Sequence, residues 1–177
     1  MRSFLELVQT RQSDRAYEAG KPIEREVLDR ILEAGRLAPS ACNGQPWHFT
    51  VVTEPALLHD VAKATSSIGL NRFVKDSAAL ILITLEPTNI TSRLGCNIKD
   101  KDFPIMDLGI AASYITLAAE DEGVGSCILG WFDDEKIRAL CGIEHPVRLV
   151  VTLGYAKEGD PLRSKVRKSL DELVSYV

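Results

Sequence analysis

The sequence predicts one α+β domain in which a mixed central β-sheet is flanked by helices, and two observations support this prediction. The chain has 177 residues, of which 45% are hydrophobic and 26% charged, a composition that allows one well-packed core. Short apolar runs of strand length also alternate loosely with segments of helical periodicity. Because no internal repeat or low-complexity linker divides the chain, residues 1–177 are expected to form a single domain.

Helical spacing and capping residues predict the helices. Pro22 is expected to open one of them, followed by an apolar face made of Ile23, Val27, Leu28, Ile31, Leu32 and Gly35. In a long helix over residues 104–122, Ile105, Leu108, Ala112, Ile115 and Ala119 form a stripe, and small residues narrow the other faces. That pattern fits a central helix and a subunit interface equally well. The other predicted helices cover residues 3–10 and 55–64, follow the N-cap Asp133, and begin at a capping box of Ser169 and Glu172.

Apolar and β-branched runs predict strands at residues 48–53, 78–84, 126–129 and 148–155. The second run is apolar almost throughout, which indicates a strand buried on both faces. Residues 86–103 are polar, irregular and long, and they are expected to form a mobile functional loop or lid.

Charge and composition exclude several classes of function. A net charge of −4 argues against general affinity for nucleic acid or an anionic membrane surface. The longest apolar run, residues 78–85, is too short to span a bilayer, which takes about 20 residues. The N-terminal residues lack the apolar stretch of a secretory signal, and neither the cysteines nor the histidines have metal-ligand spacing. We therefore expect a cytoplasmic protein without a metal site or a membrane segment.

Two groups of basic residues are candidates for anion binding. Arg11 and Arg15 flank Ser13, and a C-terminal segment carries Arg163, Lys165, Arg167 and Lys168. The planar guanidinium group makes paired, charge-assisted hydrogen bonds with phosphate oxygens, and a serine hydroxyl can fill a remaining lone pair. Either group, taken separately, is more typical of solvated surface charge.

Two loops contain residues suited to contact with a ligand. In the loop of residues 39–46, Ser40, Asn43 and Gln45 lie between two prolines, which is typical of a recognition loop and also of an ordinary helix-to-strand connection. Gly123, Gly125 and Gly130 match neither a dinucleotide fingerprint nor a Walker loop. They would allow close backbone approach to a flat ring, although Gly123 would equally serve as a helix end.

Five motifs occur in a characteristic order along the chain. They are residues 11–15 (RQSDR), 38–47 (APSACNGQPW), 107–112 (DLGIAA), 123–130 (GVGSCILG) and 153–155 (LGY), the last followed by a basic tail. Together they resemble the FMN-dependent nitroreductase family, and the resemblance covers nearly the whole chain. It implies an FMN cofactor, NAD(P)H as reductant, a small-molecule electron acceptor, and an intertwined homodimer with its FMN sites at the subunit interface.

The resemblance also implies a role for individual residues. The FMN phosphate would be held by Arg11, Ser13, Arg15, Lys165 and Arg167, with Gln12 in a position where the family commonly has a basic residue. The partner subunit would contribute Pro39, Ser40, Asn43 and Gln45. Leu129 and Gly130 would approach the isoalloxazine ring, and Asn71 would contact flavin or substrate, or else cap a helix. No side chain is required as a catalytic acid or base, because the flavin carries the chemistry.

The implied activity is a ping-pong transfer of hydride from NAD(P)H to a nitroaromatic compound, a quinone or a similar conjugated electrophile. Two alternatives remain open: a flavin-binding carrier or sensor without turnover, and a flavin-consuming or dehalogenating relative of the same fold. A hydrolase built on Ser40 or Cys42 is disfavoured, since the strand-turn-helix nucleophile elbow and an assignable histidine are missing from the sequence.

Overall fold

The computed structural model describes residues 3–66, 69–89 and 101–177. The strands in these ranges are β1 (Trp47–Val52), β2 (Ala79–Leu85), β3 (Gly125–Leu129) and β4 (Val147–Gly154). The helices are α1 (Phe4–Thr10), α2 (Arg25–Arg36), α3 (Pro55–Thr65), α4 (Phe103–Asp121), α5 (Asp134–Cys141) and α6 (Leu170–Leu173). Short 3₁₀ turns cover Ala41–Asn43 and Arg72–Asp76. The predicted α+β class is confirmed.

The strands form one sheet in the order β1-β2-β4-β3, with β2 and β4 in the middle. Every pair of neighbours is antiparallel, and Ile81 of β2 lies opposite both Val51 of β1 and Val151 of β4. Within the described residues, the mixed character expected from the sequence is limited to a parallel bridge between Ser13, which lies outside the strands, and Ser126 of β3. Apolar runs predict that strands exist, but they do not encode the direction of a neighbouring strand.

The helix ends follow their capping residues. Asp133 caps α5 by accepting a hydrogen bond from the Lys136 amide at 3.0 Å, as predicted. The predicted capping box of α6 also forms, with the Ser169 amide 2.9 Å from Glu172 Oε2. In contrast, α2 begins at Arg25 and not at Pro22, because the backbone of its N-cap residue, Glu24, is extended.

Alternating side chains of β2 pack into two apolar cores, one on each face of the sheet. Ile81 and Ile83 face α2 and α4 in the first core, whereas Leu80 and Leu82 face α3 and α5 in the second. All four side chains are fully buried. The prediction of a strand buried on both faces is therefore confirmed.

The long helix α4 is buried on one side and open on the other. Leu108, Ala112, Ile115 and Ala119 of the predicted stripe lie in the first core, but Ile105, in the first turn, is exposed. An exposed apolar face runs along the same helix through Met106, Ile110 and Tyr114. Within the described chain, no helix has the length and apolar character needed to cross a membrane.

Most of the predicted lid at residues 86–103 falls on residues 90–100, which lie outside the described residues. The part before them is tied to the loop of residues 39–46. Asn89 Nδ2 donates a hydrogen bond of 3.0 Å to the carbonyl of Cys42. The segment that follows β2 is therefore hydrogen-bonded to this loop.

Candidate functional site

Residues 11–15 follow α1 and are attached to the edge strand β3. The Asp14 amide donates to the Ser126 carbonyl at 2.9 Å, and the Ser126 amide donates to Asp14 Oδ2 at 3.2 Å. Asp14 is only 3% exposed. A Cβ atom at Gly125 would lie 2.8 Å from Asp14 Oδ2, so glycine is needed there for this close approach. The segment therefore has a fixed orientation on the sheet.

The buried carboxyl of Asp14 makes stability depend on pH. Burial raises the pKa of Asp14, against the lowering effects of its hydrogen bonds with Gln12 and Ser126 and of the charge of Arg163. Because the folded-state pKa lies above the unfolded value, Asp14 stabilises the fold below the unfolded pKa. This contribution is lost as the pH rises through the folded pKa.

Comparison of the wild-type protein with Asp14→Asn is expected to show this dependence. As the pH falls from about 7 towards about 4, the free energy of unfolding of the wild type should rise relative to that of the variant. Urea unfolding at several pH values measures the difference. Asp60→Asn is a suitable control because Asp60 is exposed and pairs with Lys63 at 3.4 Å. A difference in the free energy of unfolding between the wild type and Asp14→Asn that does not change with pH would contradict the prediction.

The fold brings the C-terminal basic segment to residues 11–15. Lys165 Nζ donates to the Arg11 carbonyl at 2.5 Å, and Arg163 Nη2 donates to the Ser13 carbonyl at 2.6 Å. Burial and the nearby charges of Arg11, Arg167 and Arg163 lower the pKa of Lys165, and the charge of Glu120 opposes this effect. Lys165 therefore lies among other cations at the point where the two basic groups of the sequence meet.

Ser13 and Arg15 lie beside the buried thiol of Cys127 on β3. Burial raises the pKa of Cys127, and this effect is opposed by the charge of Arg15, the hydrogen bond with Ser13 and the charge of Arg11. Arg11, Ser13 and Arg15 are therefore all close enough to this residue of β3 to act on its thiol. The predicted residues Arg11, Ser13, Arg15, Lys165 and Arg167 are thus gathered in one region.

Several like charges held together favour an anion between them. A phosphate group has several acceptor oxygens and at neutral pH carries nearly two negative charges, so it would relieve the repulsion among the cations. The main-chain carbonyl that accepts from Lys165 does not neutralise its charge. The residues of this cluster therefore fit a phosphate-bearing ligand.

The loop of residues 39–46 is held in an uncommon backbone conformation. Cys42, Asn43 and Gln45 have φ values of 51°, 52° and 44°, in the left-handed region that costs a non-glycine residue about 1–2 kcal/mol. The Ser40 hydroxyl accepts from the Gln45 amide at 3.0 Å. Gln45 Nε2 donates to Asn43 Oδ1 at 3.1 Å. These contacts arrange the polar groups of the loop before any ligand is present.

Asp107 anchors this loop to α4. Its two carboxylate oxygens accept from the Ala41 amide at 3.2 and 3.1 Å, and burial raises the pKa of Asp107 against this hydrogen bond. The hydrogen bonds described for the loop thus lead to α4 and to Asn89. In the described part of a single chain, none of them joins Pro39, Ser40, Asn43 or Gln45 to the basic cluster.

Leu129, Gly130 and Asn71 form a third region at the far end of β3. Asn71 Nδ2 donates to the carbonyls of Thr65 and Trp131, each at 3.1 Å. Asn71 precedes the 3₁₀ turn Arg72–Asp76, but among the described contacts its side chain does not cap that turn. Gly130 is exposed, and a Cβ atom added there would meet nothing within 4 Å. The backbone at Gly130 is therefore open to a flat ligand.

The structure also decides between the two explanations for Gly123. Its φ is 72°, and it directly follows the C-cap of α4, so it ends that helix. Sequence reasoning did not assign roles to Asp14 and Asp107, although both lie inside the recognised motifs. In the sequence each of them is only a carboxylate near a short loop. Their roles can be recognised only when their hydrogen-bond partners are known, which are the Ser126 amide for Asp14 and the Ala41 amide for Asp107.

Comparisons with known proteins identify the family of the chain. The family model described as "Nitroreductase family" matches residues 8–71 and 68–155. A provisionally named NADH dehydrogenase/NAD(P)H nitroreductase of Archaeoglobus fulgidus is 32% identical over 164 residues, with 89% of this chain and 88% of the relative covered. A protein of Methanothermobacter thermautotrophicus with the same provisional name is 33% identical over 165 residues, covering 90% of this chain and 80% of the relative.

A solved structure is similar over the same extent. The FMN-dependent nitroreductase of Clostridium difficile R20291 superimposes with a TM-score of 0.76 at 27% identity, and 98% of each chain is covered. The family match extends from residue 8 to residue 155 and therefore includes the segment 11–15, the loop 39–46 and the strand β3. The chain belongs to the Nitroreductase family.

Proposed function

We propose that the protein is an FMN-dependent oxidoreductase that transfers hydride from NAD(P)H to a small conjugated electrophile, such as a nitroaromatic compound or a quinone, by a ping-pong mechanism. Membership of the Nitroreductase family and the names of the relatives support the oxidoreductase class. The observation that carries the cofactor assignment is the convergence of Arg11, Ser13 and Lys165 near the edge strand β3.

In this proposal the cationic cluster holds the FMN phosphate. Arg11 and Arg15 offer guanidinium donors, Ser13 offers a hydroxyl, and Lys165 and Arg167 add charge from the C-terminal segment. Gln12 belongs to the same site. When bound, FMN supplies a ring that accepts hydride from NAD(P)H and then passes it to the acceptor.

The ring of the flavin would extend from the cluster along β3 towards Leu129 and Gly130. There the open backbone can approach a flat surface, and a main-chain amide can donate a hydrogen bond to it. Asn71 holds the Trp131 carbonyl at 3.1 Å and so keeps the chain after Gly130 in place. The proposal also includes a direct contact of Asn71 with the flavin or the substrate. Mutation of Asn71 would test this contact.

We further propose a homodimer in which Pro39, Ser40, Asn43 and Gln45 reach the flavin bound by the partner. Exposed apolar residues support an interface, both on α4 (Met106 and Tyr114) and in the C-terminal tail (Leu170 and Tyr176). The cysteines that the structure describes, Cys42, Cys127 and Cys141, are unpaired, which supports a cytoplasmic location.

Substitution of Gly109 by leucine is expected to disrupt the dimer. Gly109 lies on the exposed side of α4, and an added Cβ atom would meet nothing within 4 Å in a single chain. For a monomer the change would be neutral or stabilising, because leucine favours a helix over glycine by about 0.8 kcal/mol. Light scattering after gel filtration measures the mass. A Gly109→Leu variant with the wild-type mass would contradict an interface on this face.

The activity is tested by the spectrum of the purified protein and its response to reductant. Bound chromophore is released with acid and identified, and NADH or NADPH is then added without oxygen, followed by a nitroaromatic compound or a quinone. Stoichiometric FMN that bleaches with NAD(P)H and recovers its colour with the acceptor is the expected result. Bleaching without recovery on any acceptor would favour a carrier or sensor. Removal of halogen from a substrate would favour a dehalogenating relative, and consumption of the flavin would favour a flavin-consuming relative. Failure to bind FMN would refute the proposal.

A further inference from the structure

We propose that Gln12, Asp14 and Arg163 form a polar clamp that positions Lys165 for the flavin phosphate, and that they do not bind the phosphate themselves. This inference rests on the proposed function, since it specifies how the phosphate site is built. It assigns Gln12 a role different from that of the basic residue common at this position in the family. The three are positioning residues.

The side chain of Gln12 is already engaged by the protein. Its Nε2 donates to Asp14 Oδ1 at 2.9 Å and to the Pro161 carbonyl at 3.5 Å. Its Oε1 accepts from the Arg163 amide at 3.0 Å. A carboxamide has two N–H donors, and both point to protein oxygens here. The Gln12 side chain is therefore occupied by contacts within the protein.

The guanidinium of Arg163 is likewise engaged by other groups of the protein. Its Nη2 donates to the Ser13 carbonyl at 2.6 Å and lies 4.0 Å from Asp14 Oδ1. Its Nη1 lies 3.5 Å from Asp160 Oδ2. The guanidinium is thus placed between two carboxylates, whereas the charges that act on Lys165 are mostly those of Arg11, Arg167 and Arg163, with Glu120 opposing them. Arg163 thus attaches the C-terminal segment to Ser13 and Asp14, and Lys165 remains available for an anion.

The clamp limits where Lys165 can be. Two residues of chain span at most about 7 Å, so fixing the backbone of residue 163 on residues 12–14 confines Lys165 to the vicinity of Arg11. The contacts join parts of the chain that are 150 or more residues apart. Asp14 connects the clamp to the sheet, because its carboxylate accepts a hydrogen bond from the Ser126 amide. Preorganised cations bind an anion more tightly because no further ordering is needed.

The test compares FMN with riboflavin, which lacks the phosphate. Fluorescence titration gives the affinity of each flavin for the wild type and for Gln12→Met, Arg163→Met and their combination. We expect each single variant to lose about tenfold in FMN affinity, the strength of one well-placed charge-assisted hydrogen bond, with riboflavin affinity unchanged. The double variant should lose no more than either single one, because both substitutions open the same clamp.

Two further variants serve as controls. Arg163→Lys retains a cation that can reach the Ser13 carbonyl and should keep most of the preference for FMN. Lys136→Met removes an exposed positive charge from α5, outside the cationic cluster, and should keep the wild-type preference for FMN. If the clamp acts through Lys165, Arg163→Met should have little added effect on FMN affinity in a Lys165→Ala background.

The possible results separate the clamp from the proposed function. A wild type that does not prefer FMN to riboflavin would refute the phosphate site, and the clamp with it. A wild type that prefers FMN, together with clamp variants that keep this preference, would overturn the clamp and leave the proposed function standing. An equal loss of affinity for FMN and for riboflavin would show general loosening of the fold. Additive losses of FMN affinity in the double variant would show that Gln12 and Arg163 contact the phosphate directly. Both results overturn the clamp.

Discussion

Replacement of Arg11 by alanine is expected to weaken FMN binding by about tenfold to a hundredfold. Charge-assisted hydrogen bonds contribute about 1.5–3 kcal/mol each, which corresponds to that range of affinity. The carbonyl that accepts from Lys165 belongs to the backbone of Arg11, so it survives the substitution. The effect should therefore come from the guanidinium itself, and titration with FMN measures it directly.

Riboflavin provides the matched ligand control for Arg11→Ala, because its affinity should remain unchanged if the arginine binds only the phosphate. Arg25→Ala provides the matched protein control. Arg25 is an exposed cation that pairs with Asp29 at 2.8 Å at the start of α2. Equal FMN affinity in Arg11→Ala and the wild type would remove Arg11 from the site.

Replacement of Ile115 by alanine should lower the free energy of unfolding by about 2–5 kcal/mol, the usual cost of such a truncation in a packed core. Ile115 is fully buried on α4. It lies directly against α2, since a Cβ atom at Gly35 would be 2.6 Å from Ile115 Cγ1. Chemical denaturation measures the loss. Ile128→Ala, at a site 39% exposed on β3, should cost about 1 kcal/mol or less.

The contact between Gly35 and Ile115 offers an internal check. Gly35→Ala should destabilise the wild type because the new methyl group overlaps Ile115 and lies 3.2 Å from Phe49 Cε2. In the Ile115→Ala background the overlap with Ile115 is removed. The double variant should therefore be more stable than the sum of the two single effects. Strict additivity would show that the two residues do not share this space.

Much of the local structure was predictable because its causes lie within a few residues. The pattern of β2 indicated burial on both faces, and Asp133 and Ser169 indicated helix starts; the structure confirms these features. The prediction that α2 begins at Pro22 was wrong, because proline is compatible with a first helical turn but does not require one. The antiparallel direction of every strand pair also had no local signal.

The sequence by itself determined the family, through the order of its five motifs, and with it the residue types expected at the cofactor site. Only the tertiary structure decided what each polar group contacts. Gln12 and the Arg163 amide are 151 residues apart in the chain and 3.0 Å apart in space. Asp107 likewise reaches the Ala41 amide across 66 residues. Hydrogen bonds depend on positions and directions within a few tenths of an ångström, and for such distant residues these are set by the packing of the whole fold.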